Sequence, residues 1–172
     1  MKQAAIGAFI GILGTAVVAV YSATSTDADV LRETRDRAQI EDLMWRYTRA
    51  LDTNNGEAYA AVYTPDGQFG AGANATKGRE ALRKMVDDLK VRAAEAKAKG
   101  EVRPPMYHMT ANERVTFSDK DHARIEAYYI TAMAAGGPNA PLRVAAVGRS
   151  VDDLVRVDGQ WLIKTRNVAP QD

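Results

Sequence analysis

The chain has 172 residues, of which 46% are apolar and 26% charged, a composition typical of one globular domain and not of a disordered chain. Its net charge of +1 gives no field that would draw it to nucleic acid or to anionic membranes. Because it has no cysteine, disulfides, thiolate catalysis and cysteine-ligated zinc are excluded.

The first 25 residues, MKQAAIGAFIGILGTAVVAVYSATS, are typical of a targeting segment. One lysine precedes an apolar run from Ala4 to Val20, and small residues follow, as in a secretory signal peptide. An uncleaved membrane anchor is the alternative, because a run of this length comes close to spanning a bilayer. We therefore predict an exported protein, periplasmic or secreted, with its domain in residues 27–172, or else a protein anchored by this segment.

Three helices are predicted in the first half of the domain. The first covers residues 27–52, because apolar residues recur there every three or four positions. The sequence DTNNGE then ends it, and a short second helix follows over 57–63, ended by Pro65. Residues 65–72 are predicted to form a turn and a short strand. The third helix is predicted from Gly78 to Lys99, with Gly100 as its cap.

Beyond Pro104 the apolar pattern changes to a period of two, which predicts four strands at 106–117, 122–134, 142–157 and 160–168. SDKD (118–121) and VDGQW (157–161) have the composition of hairpin turns, and residues 134–141 that of a longer loop. Helices followed by a run of antiparallel strands indicate an α+β domain with the helices packed on one face of the sheet.

Several kinds of chemistry have no support in the sequence. His108 and His122 are the only two histidines, and their spacing matches no usual metal-ligand set, so we predict no metal site. No G-x-S-x-G elbow, phosphate-binding loop or dinucleotide fingerprint is present in a suitable context. No basic stripe supports nucleic-acid binding.

Acid–base chemistry remains. On a strand, His108, Thr110 and Asn112 share one face, and a polar face turned toward the core is costly unless its groups are hydrogen-bonded or used. Asp52 is also unusual, because a carboxylate at the end of a helix gains nothing from the helix dipole. A His–Asp pair is a common base near neutral pH. The alternative is that His108 is a hydrogen-bonded packing residue and Asp52 a loop residue, which composition alone favours.

Four segments together resemble the SnoaL-like domains of the nuclear transport factor 2-like superfamily. They are AQIEDLMWRYTRALDTNNGEAYAAVYTPDGQF, KGREAL, YHMTANERVTF and GRSVDDLVRVDGQWLIKTRNV, and the resemblance covers about residues 30–170. It implies a cone-shaped α+β fold, in which three helices pack on a strongly bent antiparallel sheet that encloses a pocket. It also implies a homodimer or another homo-oligomer.

Within the superfamily the chain is similar to scytalone dehydratase and lindane dehydrochlorinase, which use a His–Asp base without metal or cofactor. Asp52 matches the aspartate by its place after the first helix, and His108 matches the histidine by lying four residues before Asn112. Arg166 and Tyr47 fall at pocket positions. No histidine lies around Met133, where scytalone dehydratase has a second one, so scytalone itself is not the predicted substrate.

The sequence therefore predicts a cofactor-independent lyase of the dehydratase or elimination type that acts on a small aromatic or cyclic molecule. Asp52 and His108 are the predicted catalytic residues, and the predicted substrate-binding residues are Tyr47, Tyr63, Asn112, Arg149 and Arg166. An isomerase or C–C lyase would use the same groups. A non-catalytic module that binds a small molecule or dimerises is the other alternative. The predicted partners are a small-molecule ligand and a second copy of the chain, with no nucleic acid and with membrane contact only through the N-terminal segment.

Overall fold

The computed structural model describes residues 26–101, 104–134 and 141–169. Three α-helices lie in the first half: α1 (Asp27–Asp52), α2 (Gly56–Ala61) and α3 (Arg79–Ala98), with a 3₁₀ turn at Gly72–Asn74. The strands are β1 (Tyr63–Phe69), β2 (Thr76–Lys77), β3 (Met106–Phe117), β4 (His122–Met133), β5 (Arg143–Val157) and β6 (Gln160–Asn167).

The helix α1 begins and ends where its side chains predict. A capping box holds its first turn: Thr26 Oγ1 accepts a hydrogen bond from the Asp29 amide at 3.2 Å, while the Asp29 carboxylate accepts from Thr26. Its apolar stripe is buried, with Ile40 and Leu43 at 1% exposure or less. The helix stops before Asn54, which takes a left-handed φ of 50°.

All six strands belong to one sheet in the order β2-β1-β6-β5-β4-β3. The sheet is open, since β2 and β3 form its two edges. The core lies between its inner face and the helices, and its fully buried members include Leu43, Tyr59, Leu82, Val86, Ile125, Leu154 and Ile163. The α+β class predicted from sequence is confirmed.

One strand pair departs from the antiparallel sheet that the resemblance implied. Strand β1 runs parallel to β6, while every other neighbouring pair is antiparallel, so the sheet is mixed. The short second helix was also predicted too long: α2 ends at Ala61, and Tyr63 already begins β1. The pairing of β1 with β6 shifts register between Tyr63 and Gln68, a stretch that contains Pro65, because five steps along β1 match only two along β6 there.

The predicted hairpins and long strands agree with the structure to within one residue. Asp158 and Gly159 both have positive φ, of 50° and 79°, as a two-residue Asp-Gly turn requires. The third helix starts one residue later than predicted, after Gly78. Most of the predicted 134–141 loop and the N-terminal targeting segment lie outside the described residues. None of the helices in the described ranges is both long and apolar enough to cross a membrane.

Candidate active site

His108 and Asp52 are in direct contact, although 56 positions separate them in the sequence. Asp52 is the last residue of α1, and His108 is the third residue of β3. One carboxylate oxygen of Asp52, Oδ1, lies 2.8 Å from His108 Nδ1 and also accepts the His108 backbone N–H at 3.1 Å. The pair predicted from sequence is therefore present as a hydrogen-bonded unit that joins α1 to β3.

This contact determines which ring nitrogen of His108 is available. An ionised carboxylate only accepts hydrogen bonds, so Nδ1 must carry the proton and Nε2 is left as an acceptor. The Asp52 side chain is 9% exposed and that of His108 is 22% exposed. The carboxylate is thus sheltered behind a ring whose other side can be reached.

A cleft of about 830 Å³ lies between α1 and the edge strand β3, with His108 in its wall. Such a volume suits a small organic molecule. Helix α1 contributes Met44, Trp45 and Thr48, and β3 contributes His108, Thr110 and Glu113. The cleft combines apolar walls with a few polar groups, as binding sites for small molecules usually do.

Three of the predicted binding residues lie together elsewhere, in a buried polar cluster that we call the inner cluster: Tyr47, Tyr59, Tyr63, Asp152 and Arg166. Arg166 forms an ion pair with Asp152, and its guanidinium lies 4.4 Å from the centre of the Tyr47 ring. The Tyr59 and Tyr63 hydroxyls are hydrogen-bonded at 3.0 Å. All five side chains are at most 4% exposed, and none lines the cleft beside His108.

Burial has strong effects on the ionisation of the inner cluster. It raises the pKa of Asp152 to about 7, although the neighbouring Arg166 cation opposes the change. Burial also raises the pKa of the Tyr47 hydroxyl and, more strongly, those of Tyr59 and Tyr63. The three hydroxyls therefore stay protonated, and the cluster is a set of packed hydrogen-bonding groups.

Asn112 and Arg149 do not reach the cleft. Asn112 lies at a β-bulge, is exposed and has a φ of +53°. Arg149 on β5 pairs with Tyr128 on β4, and the side chains of this pair point to the outer face of the sheet. There the Arg149 Nη1 atom lies 3.6 Å from the Glu126 carboxylate. The prediction that these two residues line the pocket with His108 is not met by this geometry.

Several residues that line the cleft were not predicted from the sequence. Met44, Trp45 and Thr48 lie on the same face of α1 as Asp52, at spacings of three and four, so extending the helical face back from Asp52 would have found them. Glu113 could not be predicted in this way, because the face of β3 on which its side chain lies depends on the β-bulge at Asn112. Within the described ranges, no group of three or more His, Asp or Glu side chains is placed to hold a metal ion.

Comparison with known proteins identifies relatives of the fold and of the sequence. The sequence model of the SnoaL-like domain family matches residues 32–167 of this chain. Among solved structures, a protein of unknown function from Mycobacterium tuberculosis has 26% identity and a TM-score of 0.66, and the alignment covers 83% of this chain and 75% of that one. No curated protein matches the chain.

Two structures from Novosphingobium aromaticivorans are also similar. One, provisionally assigned as a scytalone dehydratase, has 22% identity and a TM-score of 0.65, with 83% of this chain and 89% of that chain covered. The other is an NTF2-like protein with a cystatin-like fold, with 21% identity, a TM-score of 0.66 and coverage of 84% and 89%. At these identities the two structures show the fold alone, and they confirm the cone-shaped architecture predicted from sequence.

Proposed function

This chain belongs to the SnoaL-like domain family, and we propose that it is a cofactor-independent lyase of the dehydratase type. The single observation that carries the proposal is the His108–Asp52 contact: Nδ1 is held at 2.8 Å by a sheltered carboxylate, while the ring borders the cleft. This is the arrangement expected of a histidine base whose tautomer is fixed by an aspartate.

In the proposed reaction His108 Nε2 accepts a proton from a C–H group that is acidified by a neighbouring carbonyl. The electrons of that C–H bond form a carbon–carbon double bond, and the bond from the adjacent carbon to a hydroxyl breaks. The imidazolium then returns its proton to the departing hydroxide, so that water leaves and His108 is restored. Asp52 stabilises the imidazolium while it exists.

The polar groups beside His108 differ from those predicted. Thr110 lines the cleft on the same strand as His108 and carries a hydroxyl that can donate a hydrogen bond to a developing enolate oxygen, whereas the Thr48 hydroxyl donates to the backbone carbonyls of Met44 and Trp45. Arg166, Tyr47 and Tyr63 support the site only indirectly, because they are buried in the inner cluster. Met44 and Trp45 are apolar walls suited to an aromatic or cyclic substrate.

The test uses 4-hydroxy-4-phenylbutan-2-one, whose possible products separate the alternatives. Elimination of water gives 4-phenylbut-3-en-2-one, whereas C–C cleavage gives benzaldehyde and acetone. We expect the enone from the wild-type protein and none above background from His108→Ala. Benzaldehyde formed in a His108-dependent way would instead favour the C–C lyase. Enone formation at the wild-type rate by folded His108→Ala would contradict the proposed base.

The second candidate function is a binding module, which is favoured by the openness of the cleft. Trp45 is 65% exposed although it lines the cleft, so water reaches this wall, whereas catalytic bases work best where water is excluded. If the ketol bound stoichiometrically and was recovered unchanged, this candidate would replace the lyase.

We also propose that the chain forms a homodimer through the outer face of the sheet. Large apolar side chains are 40–70% exposed there on three neighbouring strands: Tyr107, Met109, Tyr128, Ile130 and Val147. Glu126 and Arg149 at the border provide both signs of charge, as a self-complementary interface needs. Sedimentation should give a dimer for the wild-type protein and a monomer for Val147→Asp; a wild-type monomer would contradict the proposal.

The export signal or anchor stays a proposal that rests on residues 1–25 alone. Cell fractionation with mass spectrometry of the mature N-terminus tests it. A soluble exported protein that begins shortly after Ser22 or Ser25 is expected, the anchored alternative would retain Met1 in the membrane fraction, and a cytosolic protein with an intact start would overturn both.

A further inference from the structure

The bulge at Asn112 changes which side chains of β3 face inward. Pairing with β4 stops at Ala111, opposite Tyr128, and resumes at Arg114, opposite Glu126, so two β3 residues face the single residue Ala127. Such a two-against-one bulge shifts the alternation of a strand by one residue. A regular strand would have turned Asn112 inward, whereas this one turns Glu113 inward instead.

Two observations place the charge of Glu113 beside the cleft. Its exposed side chain lines the same cleft as His108 and Thr110. Its charge also contributes to the raised pKa of buried Asp152, on the inner face of β5, although burial is the larger cause. The bulge therefore adds a carboxylate to the wall that carries the proposed base.

The charged groups of the cleft leave Glu113 available for a ligand. Arg37 donates to the Val115 carbonyl at 3.0 Å and lies over the Phe117 ring, and Asp42 is bound by Arg46 at 2.8 Å. Within the described residues, Glu113 has no hydrogen-bond or ion-pair partner.

The lining of the cleft is also negative as a whole. The charged side chains of the lining are Glu41, Asp42, Glu113 and Arg37; because Arg46 binds Asp42, Glu41 and Glu113 leave one negative charge in excess over Arg37. A negative cleft attracts cationic groups and repels carboxylates. Glu41 and Asp42 lie on α1, whereas Glu113 lies on β3, the strand that also carries His108.

Strand spacing sets the distance that a ligand must span. His108 pairs with Thr131, and Glu113 lies opposite Ala127, four residues along β4. At about 3.3 Å per residue the two positions are roughly 13 Å apart. A ligand that reached both side chains would be elongated, on the scale of two linked rings.

We propose that Glu113 is a specificity-determining residue that accepts a hydrogen bond from a hydroxyl or ammonium group at the end of the ligand remote from His108. It selects elongated neutral or cationic molecules and rejects carboxylates. This inference rests on the proposed function for the orientation of the ligand, since it places the reactive C–H at His108.

The test is calorimetric binding of three biphenyls that differ only in one end group: 4-phenylbenzylamine, 4-phenylbenzyl alcohol and biphenyl-4-carboxylic acid. We expect the wild-type protein to bind the amine most tightly and the acid least. Because a charge-assisted hydrogen bond is lost, Glu113→Gln should reduce the preference for the amine over the acid by about tenfold. Glu95→Gln, at an exposed position of α3 outside the cleft, is the matched control and should leave that preference unchanged.

Failure of this inference is distinguishable from failure of the lyase. His108→Ala should lose turnover of the ketol and keep the preference for the amine, whereas Glu113→Gln should lose the preference and keep Nδ1 of His108 bonded to Asp52, as seen by ¹⁵N NMR. The inference is overturned if the wild-type protein binds none of the probes, if it binds the acid as tightly as the amine, or if Glu113→Gln retains the full preference.

Discussion

The His108–Asp52 pair and the inner cluster are built from similar polar side chains but differ in access. The pair joins α1 to the edge strand β3, and the His108 ring borders a cleft. The inner cluster takes its members from α1, α2, β1, β5 and β6, and its Asp152 and Arg166 are at most 2% exposed. One region can meet a ligand, whereas the other is occupied by its own contacts.

This difference separates two roles that residue type alone cannot separate. Changes in the inner cluster should lower stability, because they leave buried polar groups without partners. Changes in the His108–Asp52 pair should lower activity at a smaller cost in stability. Unfolding free energies of single variants therefore distinguish the two regions.

The chain also contains a matched control for the pair. His122 and Asp119 make the same two contacts: the Asp119 carboxylate accepts the His122 backbone N–H at 2.8 Å and lies 3.0 Å from Nδ1. Both side chains are more than half exposed; Asp119 lies in the turn before β4, and His122 is the first residue of that strand. Asp119 also accepts the Asp121 backbone N–H at 2.7 Å, so the surface pair has the same two contacts as the His108–Asp52 pair and one more.

Arg166→Leu should have the largest effect on stability. It leaves the Asp152 carboxyl buried without a cation, which typically lowers the free energy of unfolding by about 3–5 kcal/mol. Urea denaturation at pH 8 measures the change. Replacing Asp152 by Asn in the same protein should restore part of the loss. A loss below about 1 kcal/mol for the single variant would mean that the ion pair is not essential.

Asp152 should also make stability depend on pH. Its folded-state pKa of about 7 lies above the ordinary value of 3.8, so the folded protein binds more protons than the unfolded chain between these values. The stabilisation from this group is complete below about pH 4 and is lost as the pH rises to about 7. Comparison with Asp152→Asn isolates the contribution of this carboxyl. The difference in unfolding free energy between the two proteins should change between about pH 4 and pH 7 and stay constant above pH 7. A flat difference from pH 4 to pH 7 would contradict the raised pKa.

Asp52→Ala should lower the free energy of unfolding by less than Arg166→Leu does. The variant removes the acceptor of two hydrogen bonds in a half-buried place, at about 1–3 kcal/mol of unfolding free energy. Asp119→Ala removes the same two bonds and a third, from the Asp121 N–H, but at the surface, and should have a clearly smaller effect in the same urea titration. Equal losses would show that burial does not distinguish the two pairs.

Substitution of Asn112 at the β3 bulge should give the smallest change in the free energy of unfolding. Asn112→Val places a β-branched residue at a φ of +53° and should destabilise the fold by about 1–2 kcal/mol. Asn112→Gly adopts this φ without strain and serves as the control. Thermal unfolding of the two variants compares them directly. If valine were tolerated as well as glycine, the bulge would not depend on the left-handed residue.

The sequence predicted the helices and the long strands through local periodicity, and the His108–Asp52 pair through its resemblance to SnoaL-like domains. It could not predict Asn112 and Glu113 correctly, since a one-residue bulge reverses the facing of every later residue on the strand. Tyr47, Tyr63 and Arg166 were predicted to bind the substrate, but whether a polar residue faces a cleft or a closed core depends on packing between distant segments. Arg149 was misplaced because its face is set by the register with β4.

The most direct test of the account is base catalysis measured without knowledge of the natural substrate. The ring of 5-nitrobenzisoxazole opens to a coloured phenolate when a base removes its C–H proton and the N–O bond breaks. We predict that His108→Ala and Asp52→Asn lower kcat/KM by about 10²–10⁴-fold, while His122→Ala and Asp119→Asn leave it unchanged. If folded His108→Ala opened the ring as fast as the wild-type protein, His108 would not be the base and the account would be wrong.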